Sequence, residues 1–228
     1  MALILSIETS GVHCSVALHR DGALVNMLNV NEPQAHASRL GPLIHDVFQR
    51  SSLQLKSLGA VAISAGPGSY TGLRIGTSTV KGICFSLDIP LIAVTTLDLL
   101  AYEGRRTFAL DDGLLCPMID ARRMEVYCQV MTKDLKQVTP MEAKIIDESA
   151  FSELLSHSKV FFFGDGAAKC REVLKHPNSF FPEGIYPSVD ALGILANEKF
   201  IKNSVEDLRA FTPVYLKEFI AKKAQPFF

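Results

Sequence analysis

The sequence lacks most of the features that assign a function quickly. It has no excess of one charge: 23 Lys and Arg stand against 24 Asp and Glu in 228 residues. A domain that holds nucleic acid unaided carries a basic face, so any RNA contact is expected to be shared with a partner. The five cysteines (Cys14, Cys84, Cys116, Cys128 and Cys170) are odd in number and form no C-x-x-C pair. Four of them sit in apolar runs and read as buried thiols of a reducing compartment. Long hydrophobic runs are missing too. The first, Leu3 to Ile7, stops at Glu8, too short for a signal segment or a membrane span. The expected location is the cytoplasm, with no membrane contact.

The common catalytic signatures are also missing. No H-E-x-x-H occurs, and neither Gly66 nor Gly68 is followed by the lysine that a P-loop needs. The dinucleotide spacing G-x-G-x-x-G fails by one residue. Ser69 is not a nucleophile elbow, because Pro67 and Thr71 stand where glycines are required. His36 and His45 are nine residues apart on one expected helix, which puts them on opposite faces and excludes a shared metal. What remains is an ordinary globular composition, 48% hydrophobic and 21% charged with mean hydropathy +0.20. That suffices for one large domain or two small ones.

The order of elements is more informative. LILSI, CSVALHR and ALVNMLNV read as three strands, the last two joined by Asp21-Gly22. Helical spacing of Leu40, Leu43, Ile44, Val47 and Phe48 predicts a helix from His36 to Arg50. AVAIS then leads into the glycine loop AGPGSYTGLRIG, a second helix ending before Pro90, the strand PLIAV and a short helix capped by Thr95 or Thr96. After EGRRTFALDDG the pattern begins again. LLCPMID, MEVYCQVM and a segment near Lys144 to Ile146 are extended. A helix capped by Asp147 or Ser149, the strand VFFF and a helix opened by GDGAAK follow. Glu8 precedes Cys14 and Val16 by six and eight residues, and Asp120 precedes Val126 and Cys128 by the same offsets. Beyond these, Ser188 caps a helix through ALGILANEKF, and a last element around FTPVYLKEF packs back on the first lobe. A weak internal repeat of this order is what a duplicated actin-like fold leaves behind; a single mixed sheet is the alternative.

Several residues could carry chemistry. Gly66, Gly68 and Ser69 lie at a helix start, where N–H groups and the helix dipole suit an anion. A structural strand-to-helix turn is the competing reading. Glu8 and Asp120 end the first strand of each half, either as groups that position a nucleotide's metal and phosphates or as strand-end carboxylates bonded to turn N–H groups. Arg122 and Arg123 beside Asp120 form either an anion-binding cluster or an ion pair holding the hairpin. Gly72, Gly76, Thr79 and Ile83 share one helical stripe, and Gly76 and Gly82 each forgo about 1 kcal/mol relative to alanine. Either the protein's own sheet or a partner helix could come close there.

Together IETSGVHCSVAL, AGPGSYTGLRIG with its helix, PLIAVTTLDLLA and IDARRMEVY resemble the TsaB (YeaZ-like) family, accessory subunits in making N6-threonylcarbamoyladenosine in tRNA. The likeness covers Leu3 to about Tyr102 well, together with the start of the second half. It implies an α/β, two-lobed actin-like ATPase (ASKHA) fold, with a first lobe over 1–104 and a reduced second lobe over 105–228. It implies a heterodimer with a TsaD-like catalytic subunit, joined by a TsaE-like ATPase, with tRNA bound through the complex and a homodimer possible alone. Family members pair through two first-lobe helices, matching about His36–Arg50 and Gly72–Leu87 here. Leu40, Ile44, Gly72, Gly76, Thr79 and Ile83 are then the expected interface. In the catalytic relative two metal-binding histidines occupy the places of Thr96 and Leu100, which cannot replace them. No catalytic residue, resident metal or intrinsic cofactor is therefore expected, with ATP or ADP possible in the complex. The alternatives are a free-standing kinase-like enzyme and a metallopeptidase-like protein.

Overall fold

The computed structural model describes residues 2–32, 35–108 and 112–217. Its first sheet is built around β1 (Leu3–Glu8), whose every residue is buried. β2 (Cys14–Arg20) runs antiparallel to it and β3 (Ala23–Val30) antiparallel to β2. β4 (Ala60–Ser64) and β5 (Leu91–Val94) add in parallel on the other side, giving the order β3-β2-β1-β4-β5.

Strand periodicity divides the apolar residues of β1 between two layers. Leu3, Leu5 and Ile7 pack with Leu40, Leu43 and Val47 of α1 (His36–Ser51) and Val80 and Cys84 of α2 (Tyr70–Leu87). Ile4 faces the opposite layer, with Leu99 of α3 (Thr96–Thr107) and Ala191, Leu192 and Ala196 of α5 (Val189–Ile201). Thr95 caps α3 by accepting from the Asp98 N–H, and Ser188 caps α5 by accepting from that of Ala191.

The second sheet repeats the plan. β6 (Leu114–Asp120) is its centre, β7 (Glu125–Cys128) and β9 (Glu142–Ile145) run antiparallel on one side, and β10 (Val160–Phe163) and β11 (Ser179–Phe180) run parallel on the other. β8 (Met131–Thr132) pairs with β6 off this path. With β8 left out and the other strands numbered within their own half, the sheet has the strand order of the first. α4 (Ser152–His157) covers one face, through Leu155, and α3 the other, through Leu97, Leu100 and Ala101. α3 is thus the shared wall of two lobes.

Four local readings change. Asp147 and Ser149 do not cap a helix: Asp147 Oδ1 accepts from the Ser149 N–H at 2.9 Å and hydroxyl at 2.7 Å, closing a turn. α4 begins later, after Phe151 at φ +63°. GDGAAK opens only a 3-10 turn at Ala168–Cys170, continued by turns in which the Val173 and Leu174 N–H groups both donate to Cys170 O. The repeat is also one residue out of phase in pairing: Glu8 stands opposite Ser15, seven residues on, but Asp120 opposite Val126, six on. Lastly, α5 covers the first sheet; the last element does pack back as expected, with Phe211 and Val214 in the first lobe's core and the Val214 N–H donating to Ala65 O at 2.8 Å. The stretch 189–214 therefore belongs to the first lobe by packing. Of the segment FTPVYLKEF, positions 218 and 219 lie outside the described residues.

Candidate functional site at the strand ends

In both lobes a carboxylate ends the central strand and a glycine turn closes over it. In the first, Glu8 Oε1 accepts from the Ser10 N–H and hydroxyl, both at 2.6 Å. Glu8 is only 2% exposed, and Thr9 and Ser10 are buried with it. Burial pushes the Glu8 carboxyl up from its ordinary range, against the Ser10 hydroxyl and N–H, which favour the ionised form. Glu8 Oε2 and the hydroxyls of Thr9, Ser64, Thr77 and Thr96 have no hydrogen-bond partner among the described residues. The strand-end pocket is polar and closed off from the surface.

The seal is the glycine loop. A Cβ on Gly68 would lie 2.4 Å from Ser10 O, one on Gly72 2.1 Å from Thr9 O, and one on Gly76 2.3 Å from Thr9 Oγ1. The Ser69 N–H donates to Ser10 O at 2.7 Å, and the Ser69 hydroxyl caps α2 by accepting from the Gly72 N–H. At this helix start the Ser69 and Gly72 N–H groups are thus taken by Ser10 O and Ser69 Oγ, and the glycines seat against the Thr9–Ser10 turn, which supports the structural reading of the loop.

The same placement corrects the expected interface. Gly72 and Gly76 face the turn after β1, not outward, and Leu40 is a core residue at 2% exposure. Ile44, Thr79 and Ile83 are half-buried. Gly41 and Gly82 are the helix glycines whose Cβ would meet nothing within 4 Å among the described residues, and Phe85 beside Gly82 is 82% exposed.

In the second lobe Asp120 is exposed. Its Oδ1 accepts from Lys169 Nζ and, at 3.0 Å, from the Arg122 N–H. The ion pair that holds this hairpin is thus made by Lys169, which also reaches Glu125 O at 2.7 Å, and not by the arginine side chains. Asp165 Oδ1 accepts from the Asp120 N–H, and burial pushes its carboxyl up. Gly164 and Gly166 seat against the backbone of Met118 and Ile119, repeating the closure of the first lobe. Among the described residues no hydrogen bond or ion pair joins Glu8 and Asp120.

Sequence reasoning missed one arrangement. Ser6 Oγ lies 3.5 Å from His19 Nδ1, and His19 Nε2 lies 3.5 Å from Asp190 Oδ1, the order of a hydrolytic triad. Ser6 and His19 have no solvent exposure, and burial holds the imidazole below its usual range. Asp190 also pairs with Arg106 at 3.0 Å. A hydroxyl under α5 cannot meet a substrate, so the group braces α5 on the sheet. Thr96 and Leu100 are buried at 1% exposure, Leu100 in the apolar core. Among the described residues no three His, Cys, Asp or Glu gather as a metal site. A cavity of about 380 Å³ opens elsewhere, beside Thr95, Lys199, Glu206 and Phe211.

The sequence pattern of the family described as TsaD: tRNA N6-adenosine threonylcarbamoyltransferase matches residues 31–225. The tRNA threonylcarbamoyladenosine biosynthesis protein TsaB of Escherichia coli is 29% identical over 98% of both chains. TsaB of Bacillus subtilis is 36% identical, over 60% of this chain and 59% of its own length. TsaB of Buchnera aphidicola from Acyrthosiphon pisum is 30% identical over 64% of this chain and 68% of its own. The chain belongs to the TsaB family. The solved structure of YeaZ from Pseudomonas aeruginosa superposes with a TM-score of 0.76 at 26% identity, over 95% of this chain and 100% of that one. Component A of the Acidaminococcus fermentans (R)-2-hydroxyglutaryl-CoA dehydratase reaches 0.50 at 9% identity, over 89% of this chain and 99% of its own, a likeness of fold alone. The fold of this TsaB-family chain is the two-lobed, actin-like α/β kind.

Proposed function

We propose that the chain serves tRNA threonylcarbamoyladenosine formation as a non-catalytic scaffold and activator. In this reading it pairs with a TsaD-like catalytic subunit, a TsaE-like ATPase joins them, and tRNA is held by the complex in the cytoplasm. Any ATP or ADP belongs to the complex and not to this chain's own glycine loop. The observation that carries the reading is the match to the Escherichia coli protein over 98% of both chains. The closed first-lobe pocket supports the non-catalytic part, because an acid at 2% exposure cannot position a metal on a substrate.

The partner surface in this reading is the outer face of α1 and α2, now centred on Gly41, Gly82 and Phe85. The fold itself explains Gly76, through Thr9, but offers no neighbour that requires Gly82. A glycine inside a helix costs about 1 kcal/mol relative to alanine, and a helix from another chain at close range offsets it.

The test is reconstitution with candidate TsaD-like and TsaE-like proteins, counting modified adenosine in tRNA. Modification should require all three proteins, and this chain should co-purify with the TsaD-like one. Full modification without this chain, or phosphoryl transfer or peptide cleavage by this chain alone, overturns the proposal.

A further inference from the structure

We propose that the hairpin turn between β6 and β7 is a contact for the phosphate backbone of RNA, made by Arg122 and Arg123. The inference rests on the reading just given, that the chain works on tRNA within a complex. It begins with a backbone anomaly. The turn is closed by the Ala121 N–H donating to Glu125 O at 3.1 Å, and the first two of the three residues it encloses have positive φ, +68° at Arg122 and +52° at Arg123. Side chains with a Cβ crowd the backbone in that region, so such hairpin turns are normally made by Asn-Gly or Asp-Gly. The chain uses that solution at the β2–β3 turn, where Asp21 and Gly22 have φ +51° and +82°. At β6–β7 it places two consecutive arginines in the same conformation.

Among the described residues no side-chain contact of either arginine compensates for this choice. Both arginines are exposed, and neither guanidinium has a hydrogen bond, ion pair or ring contact among the described residues. The acids on either side are already taken. Asp120 is held by Lys169 and by the Arg122 N–H, and Glu125 by Lys217. Two exposed, unpaired guanidinium groups therefore follow one another in a strained turn at the end of β6. Strain of this kind persists where a bound group makes use of it.

Phosphate suits the pair, since a guanidinium offers it two parallel donors and stays charged. The RNA backbone is the source because, in the function proposed, the substrate is tRNA, and a chain with an overall charge of −1 is expected to share its hold on RNA with a partner. Two local arginines can add phosphate contacts to a complex that supplies the rest.

The test uses the complete reconstituted complex with tRNA. Arg122→Glu/Arg123→Glu should assemble normally and keep kcat, while KM for tRNA rises about 10-fold or more. The slope of log affinity for tRNA against log salt should flatten by about 1.4–1.8, the loss of two phosphate contacts. Arg122→Lys/Arg123→Lys should keep most of that slope. Arg122→Asn/Arg123→Gly should lose the same tRNA affinity yet raise the melting temperature of the isolated chain by about 2–4 °C, because the turn relaxes. An unchanged tRNA KM and salt slope would overturn the proposal. So would lost assembly, which makes the turn a protein contact, or a raised KM for ATP alone, which makes the anion a nucleotide. A wild-type chain that does not assemble with the partners defeats the broader reading, and this one with it.

Discussion

At Gly68 the requirement for glycine comes from a neighbour and not from a backbone angle. Gly66 carries the positive φ of the loop, +96°, whereas a side chain on Gly68 would strike Ser10 O. Gly68→Val and Gly76→Arg should both unfold the isolated chain or halve its soluble yield, measured by circular dichroism. A folded Gly68→Val would mean that the Thr9–Ser10 turn can retreat and the pocket can open. Glu8 offers a second test. Its folded-state pKa is raised by burial, so the neutral acid is the form that the fold prefers. Its contribution to stability is complete below the unfolded pKa and is lost as pH rises through the folded one. Glu8→Gln should therefore melt near the wild type at pH 4 and increasingly above it toward pH 8. A variant less stable at pH 8 would show that ionised Glu8 is paired. The sequence displayed Glu8 as a strand-end acid, but its sealing is tertiary: it depends on where three glycines spaced four apart meet the turn after β1.

Among the elements, α2 has an inner and an outer row of small residues, and spacing alone did not separate them. Gly72 and Gly76 serve the inner contact, whereas Gly82 and Phe85 look outward. Gly82→Arg and Phe85→Asp should leave folding within about 1 kcal/mol of wild type, as exposed substitutions do. Each should lower affinity for the TsaD-like partner at least 10-fold, measured by calorimetry or analytical ultracentrifugation. Unchanged affinity in both variants would remove this face from the interface. The long elements were legible because local signals agreed: period-2 apolar runs in β1 and β2, period-3.6 spacing in α1, a threonine cap before α3. The short second-lobe elements were not. Asp147 turned its side chain onto the backbone two residues on, and the GDGAAK segment closed into a 3-10 turn at Ala168–Cys170.

Across the whole molecule, duplication is the fact that organises the rest. Equal strand orders, each with a terminal carboxylate and a glycine closure, follow from the repeated offsets after Glu8 and Asp120, although pairing differs by one residue. The packing of α5 on the first sheet was not legible. Its inward face is decided by Gly193, where a Cβ would sit 2.0 Å from His19 Nδ1, and by Ala191, Leu192 and Ala196, a contact across 171 residues between His19 and Asp190. The central claim is that this molecule supports chemistry performed by its partner. The most direct measurement is kcat of the assembled complex containing Glu8→Gln/Asp120→Asn, with assembly verified by co-elution. An undiminished rate is predicted, within about 2-fold of wild type, whereas removing a group that acts in the chemistry typically costs 100-fold or more. A drop of that size with the complex intact would contradict the account and place a catalytic carboxylate in this chain.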